Sequence, residues 1–343
     1  MEATPGIARP AVDDWLVERC GLTGPFELEL IAGGRSNLTY RVRCGDGRSV
    51  VLRRPPTGNV LPSAHDMGRE HRVIAALHGS TVPVAEPLGF CADHGVTGAD
   101  FYVMAEVSGQ VLRDEDAALT GLDVDGRRRA TESLVDVLVA LHAIEPDDVG
   151  LGDLGRREAY VERQLRRWHG QWDQSKTREL PVVDEVHARL AAGVPEQRGA
   201  SIAHGDYRLD NVMVDDRGTV VAVFDWEICT LGDPLADLGV LLTYWGQAGD
   251  DFLALPSTPT VAPGFPTRAE VADRYLTAAG LPDDDLAFYV AFGNWKLACI
   301  LEGVYARYVA GVMGDTPDEL DDYAARVEQL AERARAILDG GEI

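Results

Sequence analysis

In this 343-residue chain one stretch concentrates side chains able to do chemistry: His204-Gly205-Asp206-Tyr207-Arg208-Leu209-Asp210-Asn211, which runs into Val212-Met213-Val214. Asp225 follows fourteen residues after Asn211, at the end of a second apolar run, in Val-Phe-Asp-Trp-Glu. Asp206 thus sits in a loop just after a strand, Asn211 closes that loop, and Asp225 ends a neighbouring strand. Adjacent strands would bring Asn211 and Asp225 together, with Asp206 facing the same space. Two oxygen ligands suit a Mg²⁺ that keeps positions open for nucleotide phosphates. A free carboxylate beside them can orient a substrate hydroxyl and accept its proton. Phosphoryl transfer asks for little more than positioning and charge neutralisation.

HGDYRLDN, taken with FDWE and Gly232-Asp233-Pro234-Leu235-Ala236-Asp237-Leu238-Gly239, resembles the aminoglycoside phosphotransferase and choline kinase-like family. That family is a branch of the protein-kinase-like fold. HGD-x4-N stands where kinases have HRD-x4-N, and Asp225 stands where they have the DFG aspartate. The likeness runs from about Glu27 to the last helices. It implies that Asp206 is the catalytic base or positions the acceptor hydroxyl, and that Asn211 and Asp225 bind Mg²⁺. It also implies that Glu227 adds a water-mediated metal or substrate contact. His204 would brace the loop, Asp233 would cap the next helix, and Asp237 would bond the catalytic loop.

The front of the chain fits the same resemblance. Gly33-Gly34-Arg35-Ser36-Asn37 joins two strands, and Gly34, Ser36 and Asn37 are the expected contacts to nucleotide phosphates. Val50-Val51-Leu52-Arg53 falls where kinases show V-A-I-K. No lysine precedes position 176, so Arg53 would take that role, with Glu70 as its carboxylate partner. Arginine is a planar fork where lysine is a point charge, so the exchange keeps the charge and changes its reach. Met104 would line a purine pocket, and the backbone from Ala105 through Glu106 to Val107 would bond the base edge of ATP or GTP.

The elements needed to hold these residues are legible in the hydrophobic pattern. Phe26 to Ile31, Leu38 to Cys44 and Val50 to Arg53 alternate as strands, with Gly45-Asp46-Gly47 as a hairpin turn. A helix over Ser63 to His78 and strands over Val84 to Phe90 and Phe101 to Val107 follow. After Ser108-Gly109 the spacing becomes helical, interrupted by short strands at Ser201 to His204, Val212 to Asp215 and Val220 to Phe224. The expected fold is α+β and bilobal, protein-kinase-like. A β-rich N-lobe (residues 1–107) would bind nucleotide, and a larger helical C-lobe (residues 108–343) would carry the metal site and the acceptor helices.

For the acceptor, two groups of segments look like the phosphotransferase-like domain found with acyl-CoA dehydrogenases and its free-standing bacterial relatives. One group is Leu61-Pro62-Ser63-Ala64-His65 leading to Arg69 to Ile74, with Phe101-Tyr102-Val103-Met104, and the other is Tyr160 to Leu165 with Trp168 and Leu297 to Tyr305. The likeness implies a hydroxyacyl-CoA acceptor. Tyr160, Arg163 and Arg167 share one helical face, and arginine matches CoA phosphates bidentately. A solvated helix whose arginines pair with Glu158 and Glu162 explains the same pattern. Trp295, Lys296, Tyr305 and Arg307, on a late helix, are further candidates for the acceptor wall, though aromatics at helical spacing also suit a core. Two other readings stay open: an aminoglycoside or other antibiotic kinase, and a non-catalytic nucleotide-binding module suggested by Arg53.

The formal charge of −24 argues against a nucleic-acid binder, which needs a basic face. Of 32 Lys and Arg residues, only Lys176 and Lys296 are lysines. Five cysteines, odd in number and without a CxxC pair, argue against a zinc knuckle or disulfide scaffold. With no apolar leader at the N-terminus and no run of about 18 apolar residues, a cytoplasmic protein that does not enter the membrane is expected.

Overall fold

The computed structural model describes residues 5–32, 37–57, 66–255, 258–311 and 320–343. By its internal contacts the chain divides into two units: Met1–Gly109 with Val221–Cys229, and Gln110–Val220 with Thr230–Ile343.

The first unit holds α1 (Ala11–Cys20), β1 (Glu27–Ala32), β2 (Leu38–Arg43), β3 (Ser49–Arg54), α2 (Met67–Leu77), β4 (Pro87–Cys91), the single turn α3 (His94–Thr97) and β5 (Phe101–Ala105). The strands form one antiparallel sheet in the order β1-β2-β3-β5-β4. Its register sets Arg53 opposite Thr39 on one side and Tyr102 on the other. Alternation along β2 and β3 sends Tyr40, Val42, Val50 and Leu52 to one face, where Val12 and Leu16 of α1 cover them. Trp15 of α1 meets Phe101 edge-on at 4.8 Å between ring centroids. That helix is absent from the sequence expectation, whose first element is the strand from Phe26. α2 starts at Asp66, whose carboxylate accepts the Arg69 N–H, and it buries Met67, Glu70, Val73, Ile74 and Leu77. The N-terminal part of the expected helix, residues 63–65, lies outside the described residues.

The second unit is helical around short strands. In order come α4 (Glu115–Gly121), α5 (Val124–Ala143), α6 (Tyr160–Ser175), α7 (Pro181–Ala192), β6 (Ser201–Ala203) and β7 (Val212–Val214). β8 (Val220–Val223), β9 (Thr230–Gly232), α8 (Pro234–Tyr244), α9 (Arg268–Ala279), α10 (Leu286–Val309) and α11 (Leu320–Leu338) complete it, β8 crossing into the first unit. β6 pairs antiparallel with β9, Ser201 opposite Gly232. α10, 24 residues long and buried along most of its length, packs on α6, α7, α8 and α11. It approaches α8 through glycines. A Cβ on Gly239 would stand 2.3 Å from the Tyr289 carbonyl oxygen, and one on Gly293 would stand 2.5 Å from Thr243 Oγ1. The sheet-rich first part and helical remainder make the α+β architecture that the pattern of elements predicts. Among the described residues no helix is long and apolar enough to cross a membrane. All five cysteines are free.

Candidate functional site

The HGD loop leaves β6 and turns at Gly205, whose φ of +87° favours a residue without a Cβ. The backbone N–H groups of His204 and Gly205 donate to the two carboxylate oxygens of Asp237 at 2.6 and 2.8 Å. Asp237 is buried on α8. Burial alone would raise its pKa, but the His142 hydrogen bond and charge, His204 and the loop N–H hold it below the ordinary carboxylate value. His204 Nδ1 accepts the Asp206 N–H at 3.3 Å. Lys296 Nζ donates to the Gly205 carbonyl at 2.8 Å. Asn211 Nδ2 closes the loop by donating to the Asp206 carbonyl and to Asp206 Oδ2, both at 2.8 Å. Asp206 keeps 29 % of its side chain exposed, so a carboxylate on a braced loop is presented to solvent. Asp233 caps α8 by accepting the Leu235 N–H.

Beside this carboxylate lie two residues that the sequence reading did not assign. Arg208 Nε stands 3.5 Å from Asp206 Oδ2, and its Nη1 stands 2.7 Å from Asp210 Oδ2. The guanidinium lies 4.6 Å from the centroid of Tyr244. The Tyr244 phenol is pushed up by burial and by Asp206, to which it hydrogen-bonds. Arg208, Asp210, Leu241, Tyr244, Trp245 and Thr258 line an open pocket of about 300 Å³, solvent space included. Arg208 was visible inside the HGD motif; Tyr244 is an aromatic in an apolar helix and carries no signal of its own.

The first unit assembles a second polar cluster. Arg53 Nε lies 3.1 Å from Glu70 Oε2, and its Nη2 lies 3.1 Å from Asp225 Oδ1. Glu70 also accepts from Asn37 Nδ2 at 3.1 Å and from the Tyr102 hydroxyl at 2.9 Å. Burial pushes the Glu70 carboxyl up, against the pull of Arg53. Burial also works against the Arg53 charge, but Glu70, Asp225 and Glu227 outweigh it and the guanidinium is held above its ordinary value. Glu70, Asp225 and Glu227 bring carboxylate oxygens within 4.8 Å of one another. Asp225 has φ +63°, a left-handed backbone that costs a non-glycine residue roughly 1 kcal/mol or more. Among the described residues only Ala159 shares this conformation without being glycine. Strain of this kind collects where a side chain has to be aimed.

Other expected site residues are placed as follows. Gly34 and Ser36 lie outside the described residues. The Asn37 side chain is buried and committed to Glu70, so it braces α2 against the sheet. Met104 is buried in β5, while Glu106 and Val107 are half-buried just beyond it. The Ala105 N–H is already taken by the Glu86 carbonyl at 2.8 Å, and Glu106 pairs with Arg41 at 2.6 Å. Tyr160 and Trp295 are core side chains and form no acceptor wall. The Tyr160 ring fills the space over Gly232, and the Trp295 indole donates to the Val183 carbonyl at 3.0 Å with none of its side chain exposed. Arg163 donates to the Arg156 carbonyl at 2.6 Å. Arg167 is exposed and covers the Trp168 ring at 5.0 Å. Tyr305 is half-buried under Arg178 at 5.3 Å.

Residues 27–288 match the model of the phosphotransferase enzyme family. Among curated proteins, mouse acyl-CoA dehydrogenase family member 10 is 34 % identical over 317 residues, 91 % of this chain and 29 % of the mouse protein. Human acyl-CoA dehydrogenase family member 11 is 30 % identical over 305 residues, 87 % of this chain and 38 % of the human protein. The chain therefore spans well under half the length of these curated relatives. Among solved structures, a candidate aminoglycoside phosphotransferase from Ralstonia eutropha superposes with a TM-score of 0.83 at 32 % identity, covering 98 % of this chain and 99 % of that one. An aminoglycoside phosphotransferase in complex with AMP-PNP and hygromycin B gives a TM-score of 0.63 at 16 % identity, covering 97 % and 100 %, and shares the fold.

Proposed function

The chain belongs to the phosphotransferase enzyme family, and from that premise we propose that it moves the γ-phosphoryl group of ATP or GTP, with Mg²⁺, onto a hydroxyl of a small molecule. The observation that carries this reading is the Asp206 carboxylate, partly exposed on a loop whose backbone is held by Asp237, Lys296 and Asn211. The acceptor oxygen would form the new bond to the γ-phosphorus as the bridging bond to the β-phosphate breaks. Asp206 would take the hydroxyl proton, and the nucleoside diphosphate would leave.

The donor set suits Mg²⁺. Asn211 turns its amide nitrogen to Asp206, which leaves its oxygen as the ligand, and Asp225 supplies a carboxylate oxygen on a strained backbone. These are hard oxygen donors, and a cation held by them would neutralise phosphate charge. Arg53, fixed by Glu70, would serve the α- and β-phosphates in place of lysine, and Glu227 would join through water. Met104, Glu106 and Val107 would line the base of the nucleotide, and the expected phosphate contacts Gly34 and Ser36 lie outside the described residues.

For the acceptor we favour a hydroxyl on an acyl-CoA. The support is the identity, above 30 %, to members of the acyl-CoA dehydrogenase family. The pocket beside Asp206 would take the acyl hydroxyl, and exposed Arg167 with Arg163 would meet CoA phosphates. An antibiotic acceptor draws support from the candidate aminoglycoside phosphotransferase at 32 % identity. A cytoplasmic location agrees with these intracellular cosubstrates.

The test is phosphate transfer from labelled Mg·ATP and Mg·GTP to hydroxyacyl-CoAs and aminoglycosides, assayed side by side. The expected result is a labelled acyl-CoA. Asp206→Ala should lower turnover by about 10²–10⁴-fold, the usual worth of a positioned base, with nucleotide binding retained. Near-normal turnover by that variant would remove Asp206 from the reaction, and binding without turnover on any acceptor would favour the non-catalytic module.

A further inference from the structure

Arginine supplies nearly all the positive charge of this chain, with two lysines among 32 basic residues. Lys176 lies half-buried, 3.5 Å from Glu179, where arginine would serve as well. Lys296 stands elsewhere. It occupies the middle of α10 with 5 % of its surface exposed. Its Nζ donates to the Gly205 carbonyl at 2.8 Å and lies 5.6 Å from the centroid of the Trp168 ring. A compact ammonium fits between a carbonyl oxygen and an indole face, where a guanidinium is a wide planar fork.

The bonded carbonyl belongs to the peptide unit that joins Gly205 to Asp206. On the N-terminal side, Asp237 holds the Gly205 N–H. On the C-terminal side, the Asp206 N–H has the longer bond to His204 Nδ1, at 3.3 Å. Gly205, at φ +87°, has no Cβ to resist rotation between these holds. We infer that Lys296 is a positioning residue whose ammonium locks the Gly205–Asp206 peptide and so aims the Asp206 carboxylate at the acceptor hydroxyl. The inference rests on the role given to Asp206 above.

Packing alone does not ask for a charge at this place. Burial pulls the Lys296 pKa down, partly offset by Asp206 from the loop and Asp237 from α8, with Arg167 from α6 adding to the fall. A methionine would fill the same channel without that desolvation.

The experiment compares wild type, Lys296→Met, Asp206→Ala and the double variant, all in the full chain. Lys296→Met should lose about 10–100-fold in kcat, the scale on which small misplacement of a catalytic group is felt. The nucleotide Kd, the binding stoichiometry and the melting temperature should hold. In the Asp206→Ala background the same substitution should cost nothing further, because the two side chains act as one unit. Should Lys296→Met fail to fold, Lys296→Leu, which likewise removes the donor to the Gly205 carbonyl, supplies the same cycle. Undiminished kcat in an active enzyme, an equal loss in both backgrounds, or a fall in binding stoichiometry would each overturn the inference and leave the phosphotransferase reading intact. A wild type that transfers phosphate to no acceptor and releases none from Mg·ATP would remove both.

Discussion

Asp237 shows how one buried carboxylate can set the geometry of another that faces solvent. It accepts the His204 and Gly205 N–H groups, and His142 Nε2 lies 3.2 Å from its Oδ2. His142 Nδ1 is 2.6 Å from the Tyr275 hydroxyl. With the phenol as donor to Nδ1, the Nε2–H points at Asp237, a tautomer assigned from its partners. Asp237→Asn removes the charge and turns an amide N–H toward at least one of its three donors. It should destabilise the fold by roughly 1–3 kcal/mol, the worth of one buried donor left unpaired. The pH dependence has a definite sign. The folded-state pKa of Asp237 lies below the ordinary 3.8, so its stabilisation is complete above that value and is lost as pH falls through the folded pKa. Melting curves of wild type and Asp237→Asn should therefore differ most near neutrality and converge in acid. A gap that widened toward low pH would contradict this account.

At the scale of elements, the loop is held from both sides because α8 and α10 cross closely. Asp237 lies two residues before Gly239, and Lys296 lies three residues after Gly293. Gly239 and Gly293 are the positions where the helices touch. Gly239→Ala would drive a methyl against the Tyr289 carbonyl, and overpacking of this kind costs about 1–3 kcal/mol. The predicted result is a lower melting temperature together with a lower kcat, since parting the helices loosens both holds on Gly205. Unchanged kcat at a lowered melting temperature would separate the helix crossing from the site. The same geometry explains what could be read from the chain. Asp206 and Asn211 are five residues apart, and their loop is local, so the motif displays it. The Arg53–Glu70 pair could be anticipated because β3 and α2 follow one another in order. Lys296 and Gly205 are 91 residues apart in sequence, so the sequence offered the lysine only as a candidate for the acceptor wall and gave no sign of its partner. Tyr160 and Trp295 misled because helical spacing shows that residues share a face, not whether that face meets solvent or another helix. α1 lies ahead of the first expected strand; Val12, Trp15 and Leu16 stand at helical spacing, and their packing on the sheet gives the helix its buried side.

The family match over residues 27–288 takes in parts of both units, so the assignment belongs to the chain as a whole, and so does its charge. A formal −24 acts beyond any single contact, because at low salt the screening length is about 30 Å and at physiological ionic strength about 8 Å. A field of that sign repels anions and gathers cations, which makes ionic strength a probe of the acceptor. If the acceptor is a CoA thioester, raising the salt from about 10 to 150 mM, over which the screening length shrinks, should lower its KM as long-range repulsion is removed. If it is a polycationic aminoglycoside, the KM should rise over the same range. The arginines between Arg156 and Arg167 pull the other way for a thioester, but only at short range. A thioester KM that rose with salt would mean that this local cluster outweighs the net charge. Arg167→Ala would then reverse the slope, whereas in a protein governed by its overall field that substitution leaves the slope as it was.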